Sequence, residues 1–115
     1  HYAVSASADV SLGIWLEKYV YPAEIKFLQD LDDARRVSRA FFQTALSLGT
    51  TTVATFSSSS TEATDCSFQE AQKAKIRAFI GKVLMDQNAP PEFLQSPTEA
   101  IKELDALKKK WHIPG

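Results

Sequence analysis

At 115 residues, 44% of them hydrophobic, the chain is sized for one small domain with a modest core. A net charge of −1 removes the electrostatic case for nucleic acid or an anionic membrane as partner. One cysteine, Cys66, excludes an internal disulfide framework, and no apolar run approaches the length of a bilayer span.

Taken in order, residues 1–11 are small and polar, with no helical period. A chain opening on His1 rather than methionine is expected to be processed, truncated or a portion of a longer one, and no secretory leader is visible. Over residues 12–21 the spacing of Leu12, Trp15, Leu16 and Tyr19 predicts a helix. Pro22 is expected to end it and to open a second short helix through residue 28, because proline fits a first turn but not a helix interior.

The strongest helix signal spans residues 32–48. Asp30, Asp32 and Asp33 put negative charge at its start, where free N–H groups favour it. Ala34, Val37, Phe41, Ala45 and Leu48 trace an apolar stripe, widened by Phe42 and Leu46, with Arg35, Arg36, Arg39 and Gln43 opposite. Gly49 stands where a left-handed cap belongs, and residues 50–56 follow almost without a loop. That run is β-branched and free of charge, which predicts a strand buried on both faces.

Residues 57–60 are four serines. Ser67 and Glu70 have capping-box spacing, which predicts a helix over residues 67–75 with Phe68, Ala71 and Ala74 on one face. Residues 78–85 are apolar except for Lys82 and predict a second strand. Two such strands around a helix form a right-handed βαβ unit. Residues 86–91 are a proline-rich loop, and Ser96, Pro97 and Glu99 open a last helix over residues 97–110. Its buried face is expected to be Ile101, Leu104, Leu107 and Trp111. Lys108, Lys109 and Lys110 suit the negative end of its dipole. The alternation predicts an α/β fold with a parallel sheet covered by helices.

The chemistry offered by these residues is sparse. A metal hydrolase needs several ligands, and the chain holds two histidines, His1 and His112, the second placed as a helix C-terminal cap. There is no glycine-rich phosphate loop, no Cys-x-x-Cys and no His-Glu-x-x-His. Ser57, Ser58, Ser59 and Ser60 have no neighbouring histidine to act as base, and read as a polar loop. They fall at the C-terminal end of a parallel strand, and Asp86 and Asn88 fall on that same edge, where barrels and open sheets place their ligands.

Four stretches resemble the guanine deaminases of the amidohydrolase superfamily. Trp15-Leu16-Glu17-Lys18-Tyr19 followed by Tyr21-Pro22-Ala23-Glu24 and Phe27 is similar to their "WLxxYtFPxExxF" stretch. Leu48-Gly49-Thr50-Thr51-Thr52 is similar to their "NGTTT" junction, and the run from Phe79 through Lys82 and Asp86 to Pro90 to their "GKVxMDxNxP" strand and loop. His1-Tyr2 is similar to the end of "DTHxHyPQ".

The resemblance implies a portion, roughly a quarter, of a (β/α)8 TIM-type barrel, since a closed barrel takes about 250 residues. It implies zinc-dependent hydrolytic deamination of guanine to xanthine and ammonia, with zinc lowering the pKa of its bound water. His1 matches the second histidine of the His-x-His pair, a zinc ligand. The remaining ligands, the acid/base carboxylate and the guanine-binding arginine lie beyond Gly115 in the family. Val4 stands where the family has a purine-contacting glutamine, and serines replace a histidine after the "GTTT" strand. The implied partners are a purine or related heterocycle and a second copy of the enzyme, in the cytoplasm. The alternative expectation is a barrel remnant that binds partners or itself through its uncovered sheet.

Overall fold

In the computed structural model, which describes residues 10–112, helix α1 (Leu12–Trp15) runs into a π-helical turn at Leu16–Val20 and on into α2 (Tyr21–Gln29). Pro22 therefore does not separate two helices as the sequence reading expects. The Tyr21 N–H reaches back five residues to the Leu16 carbonyl, and this widened turn lies just before the proline, which has no N–H to give.

Helix α3 (Leu31–Ser47) starts on Asp30, whose carboxylate accepts from the N–H groups of Asp32 at 3.1 Å and Asp33 at 3.0 Å. It ends as the glycine signal requires. Gly49 takes a φ of +85°, its N–H donates to Leu46 (3.0 Å), and the Thr50 N–H donates to Ala45 (2.9 Å). The buried line of this helix is Ala34, Ser38 and Phe42. Phe41, Leu46 and Leu48 are exposed instead, which corrects the stripe expected from sequence. A polar residue, Ser38, lies in the true contact row and hides its four-residue period.

Strand β1 (Thr52–Phe56), helix α4 (Thr61–Ala74) and strand β2 (Arg77–Gly81) form a parallel strand–helix–strand unit, paired from Thr52 with Arg77 to Phe56 with Gly81. The bounds differ from expectation at both strands, and at α4 the difference has a cause. Its cap is Ser60, whose Oγ accepts from the Ala63 N–H at 3.1 Å, so the helix begins well before Ser67. Ser67 and Glu70, with capping-box spacing, are buried mid-helix and serve tertiary contacts. Beyond Gly81 the chain leaves the regular ladder, although the Val83 N–H still donates to Ser58 at 3.0 Å.

The helices cover one face of the two-stranded sheet. Phe42 of α3, Ala71 of α4 and Ile76 form a core with Val53, Ala78 and Ile80. A second cluster, Ala34, Ala63 and Cys66, packs with Phe27 and Leu31 and binds α2 to α3 and α4. The other sheet face is open: Phe56 is 82% exposed and Phe79 72%. The strands are thus buried on one face among the described residues, not on both.

After a short turn at Pro91–Phe93, helix α5 (Pro97–Trp111) is capped by Ser96 with Glu99, as its sequence predicts. It meets α4 through Trp111, which stacks on Phe68 with centroids 5.5 Å apart and an 8° interplanar angle. Ala100 and Leu107 are its buried residues, whereas Ile101 and Leu104 are exposed. Among the described residues no helix is long and apolar enough to cross a membrane.

Candidate functional site

Parallel pairing puts the C-terminal ends of β1 and β2 side by side, and the loops that follow them meet there. The serine loop after β1 is built into the scaffold. The Ser57 N–H donates to the Gly81 carbonyl at 2.8 Å, extending the strand pairing by one bond. Its Oγ lies 3.0 Å from Ser67 Oγ, which in turn lies 3.0 Å from Ser38 Oγ, a chain of hydroxyls joining the loop to α4 and α3. Ser58 is fully buried; its carbonyl accepts from Thr64 Oγ1 at 3.2 Å and its Oγ from the Ser60 N–H at 3.3 Å. Ser60 caps α4. Three of the four hydroxyls thus have structural partners, and the reading of this run as a polar loop holds.

The loop after β2 is held by Lys82. Its side chain has no exposed surface, and its ammonium donates to Gln95 Oε1 at 3.0 Å and faces Glu103 Oε2 at 3.3 Å. Thr61, the first residue of α4, donates to the same Glu103 oxygen. Hydrogen bonds from Thr61 first and then Gln95 hold the Glu103 carboxyl below the ordinary glutamate range, against the opposing effect of burial. A lysine inside an apolar run is visible in the sequence, but its partners on α5 and the preceding loop are not. The Gln95 N–H also donates to the Met85 carbonyl at 2.9 Å, closing the loop at its base. At its far end Phe93 is buried against Tyr21, with centroids 5.4 Å apart. The stretch over residues 15–27 singled out in the sequence thus meets the segment that follows the β2 loop here. Asp86 and Asn88 lie exposed in this loop, Asn88 with a φ of +57°. A cleft of about 180 Å3 opens beside it, between Ser60, Gln95 and Glu103.

Two further carboxylates belong to the helix layer. Glu70, 1% exposed, accepts from Arg39 Nε at 2.8 Å and Lys73 Nζ at 2.6 Å, and Arg39, then Lys73, holds it below its usual range although burial opposes them. Burial would raise Asp65, but Lys110 at 2.9 Å, the Trp111 indole N–H at 2.6 Å and Gln69 at 2.7 Å together lower it. Lys110 therefore does more than complement a helix dipole. Cys66 is buried, which pushes its thiol up and leaves it a poor nucleophile.

His1, the metal ligand that the resemblance implies, lies outside the described residues, as does Val4 at the position of the family's glutamine. Among those described, no cluster of three or more His, Cys, Asp or Glu side chains could hold a metal ion, and no buried side-chain N or O lacks a hydrogen-bond partner. Residues 10–112 thus do not fit a zinc centre on their own. His112 is exposed and caps α5, its N–H donating to Lys108 at 2.8 Å. At the strand ends, the described polar groups fasten loops to helices, while the open sheet face offers aromatic surface.

No protein-family model matches the chain. It is 34% identical to the guanine deaminase of Escherichia coli over 101 residues, 88% of this chain and 23% of that enzyme. To the Homo sapiens guanine deaminase it is 38% identical over 101 residues, 87% of this chain and 22% of the relative. Among solved structures, guanine deaminase from Bradyrhizobium japonicum superposes with a TM-score of 0.86 at 36% identity, over 95% of this chain and 23% of that one. The C. acetobutylicum guanine deaminase, with guanine bound in its active site, gives 0.82 at 30% identity, over 89% of this chain and 24% of that one. The chain thus spans about a quarter of the length of these relatives. The resemblance to guanine deaminases as a partial chain and the α/β barrel-segment fold are both borne out.

Proposed function

We propose that this chain, a homologue of one quarter of the guanine deaminases, is the segment of such an enzyme that carries two neighbouring barrel strands and the helices outside them. The complete protein would hydrolyse guanine. Water adds at the ring carbon bearing the exocyclic amine, that carbon–nitrogen bond breaks, and xanthine and ammonia leave. The observation that supports this is agreement of sequence and fold with the same quarter of the enzyme, at 36% identity and a TM-score of 0.86 over 95% of the chain.

In this reading the described residues are scaffold for the strand mouth, and the acid/base and metal chemistry comes from elsewhere. Zinc belongs to the proposal through the family, with His1 as the one ligand this sequence would supply. Residues 10–112 offer no ligand cluster of their own. A homodimer in the cytoplasm completes the reading. The second reading, a barrel remnant that associates through its sheet, is favoured by one observation, the exposure of Phe56 and Phe79.

The deciding experiment takes the purified gene product containing this sequence. Its denatured mass is expected to lie several-fold above 12.7 kDa, and incubation with guanine is expected to yield xanthine and ammonia in equal amounts. A mass near 12.7 kDa with no turnover would instead support the remnant, and light scattering would then report its association state.

A further inference from the structure

Six side-chain positions line the open sheet face: Thr52, Ala54 and Phe56 of β1, and Arg77, Phe79 and Gly81 of β2. Helices cover the opposite face, so in a barrel this open face is the interior. The register sets its layers. Phe79 pairs with Ala54 in the middle of the ladder, and Phe56 pairs with Gly81 at its C-terminal end. Interior side chains in the middle of such a barrel fill its core, whereas those at the C-terminal end face the active-site mouth.

Phe56 is also seated in an unusual way. A Cβ built on Gly81 would lie 3.1 Å from Phe56 Cδ1 and 3.4 Å from Cε1. The ring therefore lies across the glycine at a distance that any other residue at position 81 would disturb. Gly81 has no positive φ, so backbone conformation does not call for glycine there; a Cβ would instead make the Phe56 ring give way by a few tenths of an ångström. Six residues on the face, and the one at the mouth that is aromatic has a bare floor beneath it.

Resting on the reading above, we propose that Phe56 is a substrate-contact and specificity-determining residue, its ring held on Gly81 against the face of the planar heterocycle. An aromatic face fits the flat π-surface of a purine and contributes binding without any proton transfer. The effect belongs in KM rather than kcat, because stacking is present equally in ground and transition states.

The test uses the full-length enzyme and steady-state kinetics with guanine. Phe56→Leu is expected to raise KM on the order of tenfold, the range for losing one base–aromatic stack, with kcat within about twofold. Gly81→Ala is expected to raise KM by a smaller factor, and that effect should vanish in the Phe56→Leu background, since both act through one ring. Phe79→Leu, one layer deeper, should lower Tm and leave KM unchanged. Should the leucine variant fail to fold, Gly81→Ala by itself still tests the ring's position, because a Cβ there displaces the ring and the displacement reads out in KM. An active wild-type enzyme whose KM ignores both Phe56→Leu and Gly81→Ala overturns this proposal alone. A wild-type enzyme that leaves guanine untouched overturns this proposal and the reading beneath it.

Discussion

Lys82 shows how much one side chain can depend on elements the sequence places far away. Taking an ammonium wholly out of water is costly unless it is paired and hydrogen-bonded, and Gln95 and Glu103 supply both. Removing the partner should therefore cost more than removing the charge. Glu103→Ala is expected to destabilise the full-length protein by about 3 kcal/mol, the low end for a buried pair because the carboxylate side is partly open to water. Lys82→Met, which keeps the volume and drops the charge, should cost less. Urea denaturation of both variants checks the order; equal losses would mean that the pair is not what matters at this site. The sequence marks Lys82 as the one charge in an apolar run, but its partners follow from how α5 docks. Glu70 is a similar case: its spacing from Ser67 has a local meaning, and a tertiary ion pair with Arg39 overrides it.

At the scale of elements, caps were legible where local chemistry is decisive and misread where two signals compete. Asp30, Gly49 and Ser96 each end or start a helix where their residue types require. The start of α4 went to Ser60 because a serine followed by Thr61 and Glu62 caps as well as Ser67 does, and only the earlier start buries Ala63 and Cys66. Its C-terminus holds a compromise: Lys75 takes a left-handed φ of 56°, a conformation that suits glycine. Lys75 is exposed, so its side chain offers little burial to lose. Lys75→Gly is expected to stabilise the fold by about 1 kcal/mol, seen as a rise in the urea midpoint with an unchanged slope. A loss of stability would mean that the lysine makes contacts worth more than the strain. Helix α3 shows the other limit of sequence reading. Counting apolar residues favours Phe41 and Leu48, while packing selects the row through Ser38, whose hydroxyl is satisfied by Ser67.

At the scale of the molecule, three carboxylates among the described residues are held below their ordinary range: Glu70 by Arg39, Glu103 by Thr61, and Asp65, against the pull of burial, by Lys110 and its neighbours. Each binds its proton more weakly folded than unfolded. Their contribution to stability is therefore fully present above the unfolded values, about 4, and is lost as pH falls through the lower folded values. Stability is expected to be level from neutral pH to about 5 and to drop below about 4. Glu70→Gln should lower the plateau and make the acid limb shallower; an unchanged limb in that variant would remove Glu70 from the account. The parallel α/β order was legible because strand and helix periods alternate. The open sheet face was not, because a run that is apolar on both sides of the pleat reads the same whether its second face is met by this segment or by other strands.

The connection between β1 and β2, residues 57–76, is spanned by a helix that packs on both strands' covered face. Closing this loop costs less chain entropy than joining more distant parts of a barrel, so this unit can assemble before those contacts form. Each strand then offers one free hydrogen-bonding edge in a fixed direction, and the twin phenyl rings mark which side is inward. A unit of this kind is a template in time as well as in space: strands that join later inherit its direction, its register and its inside.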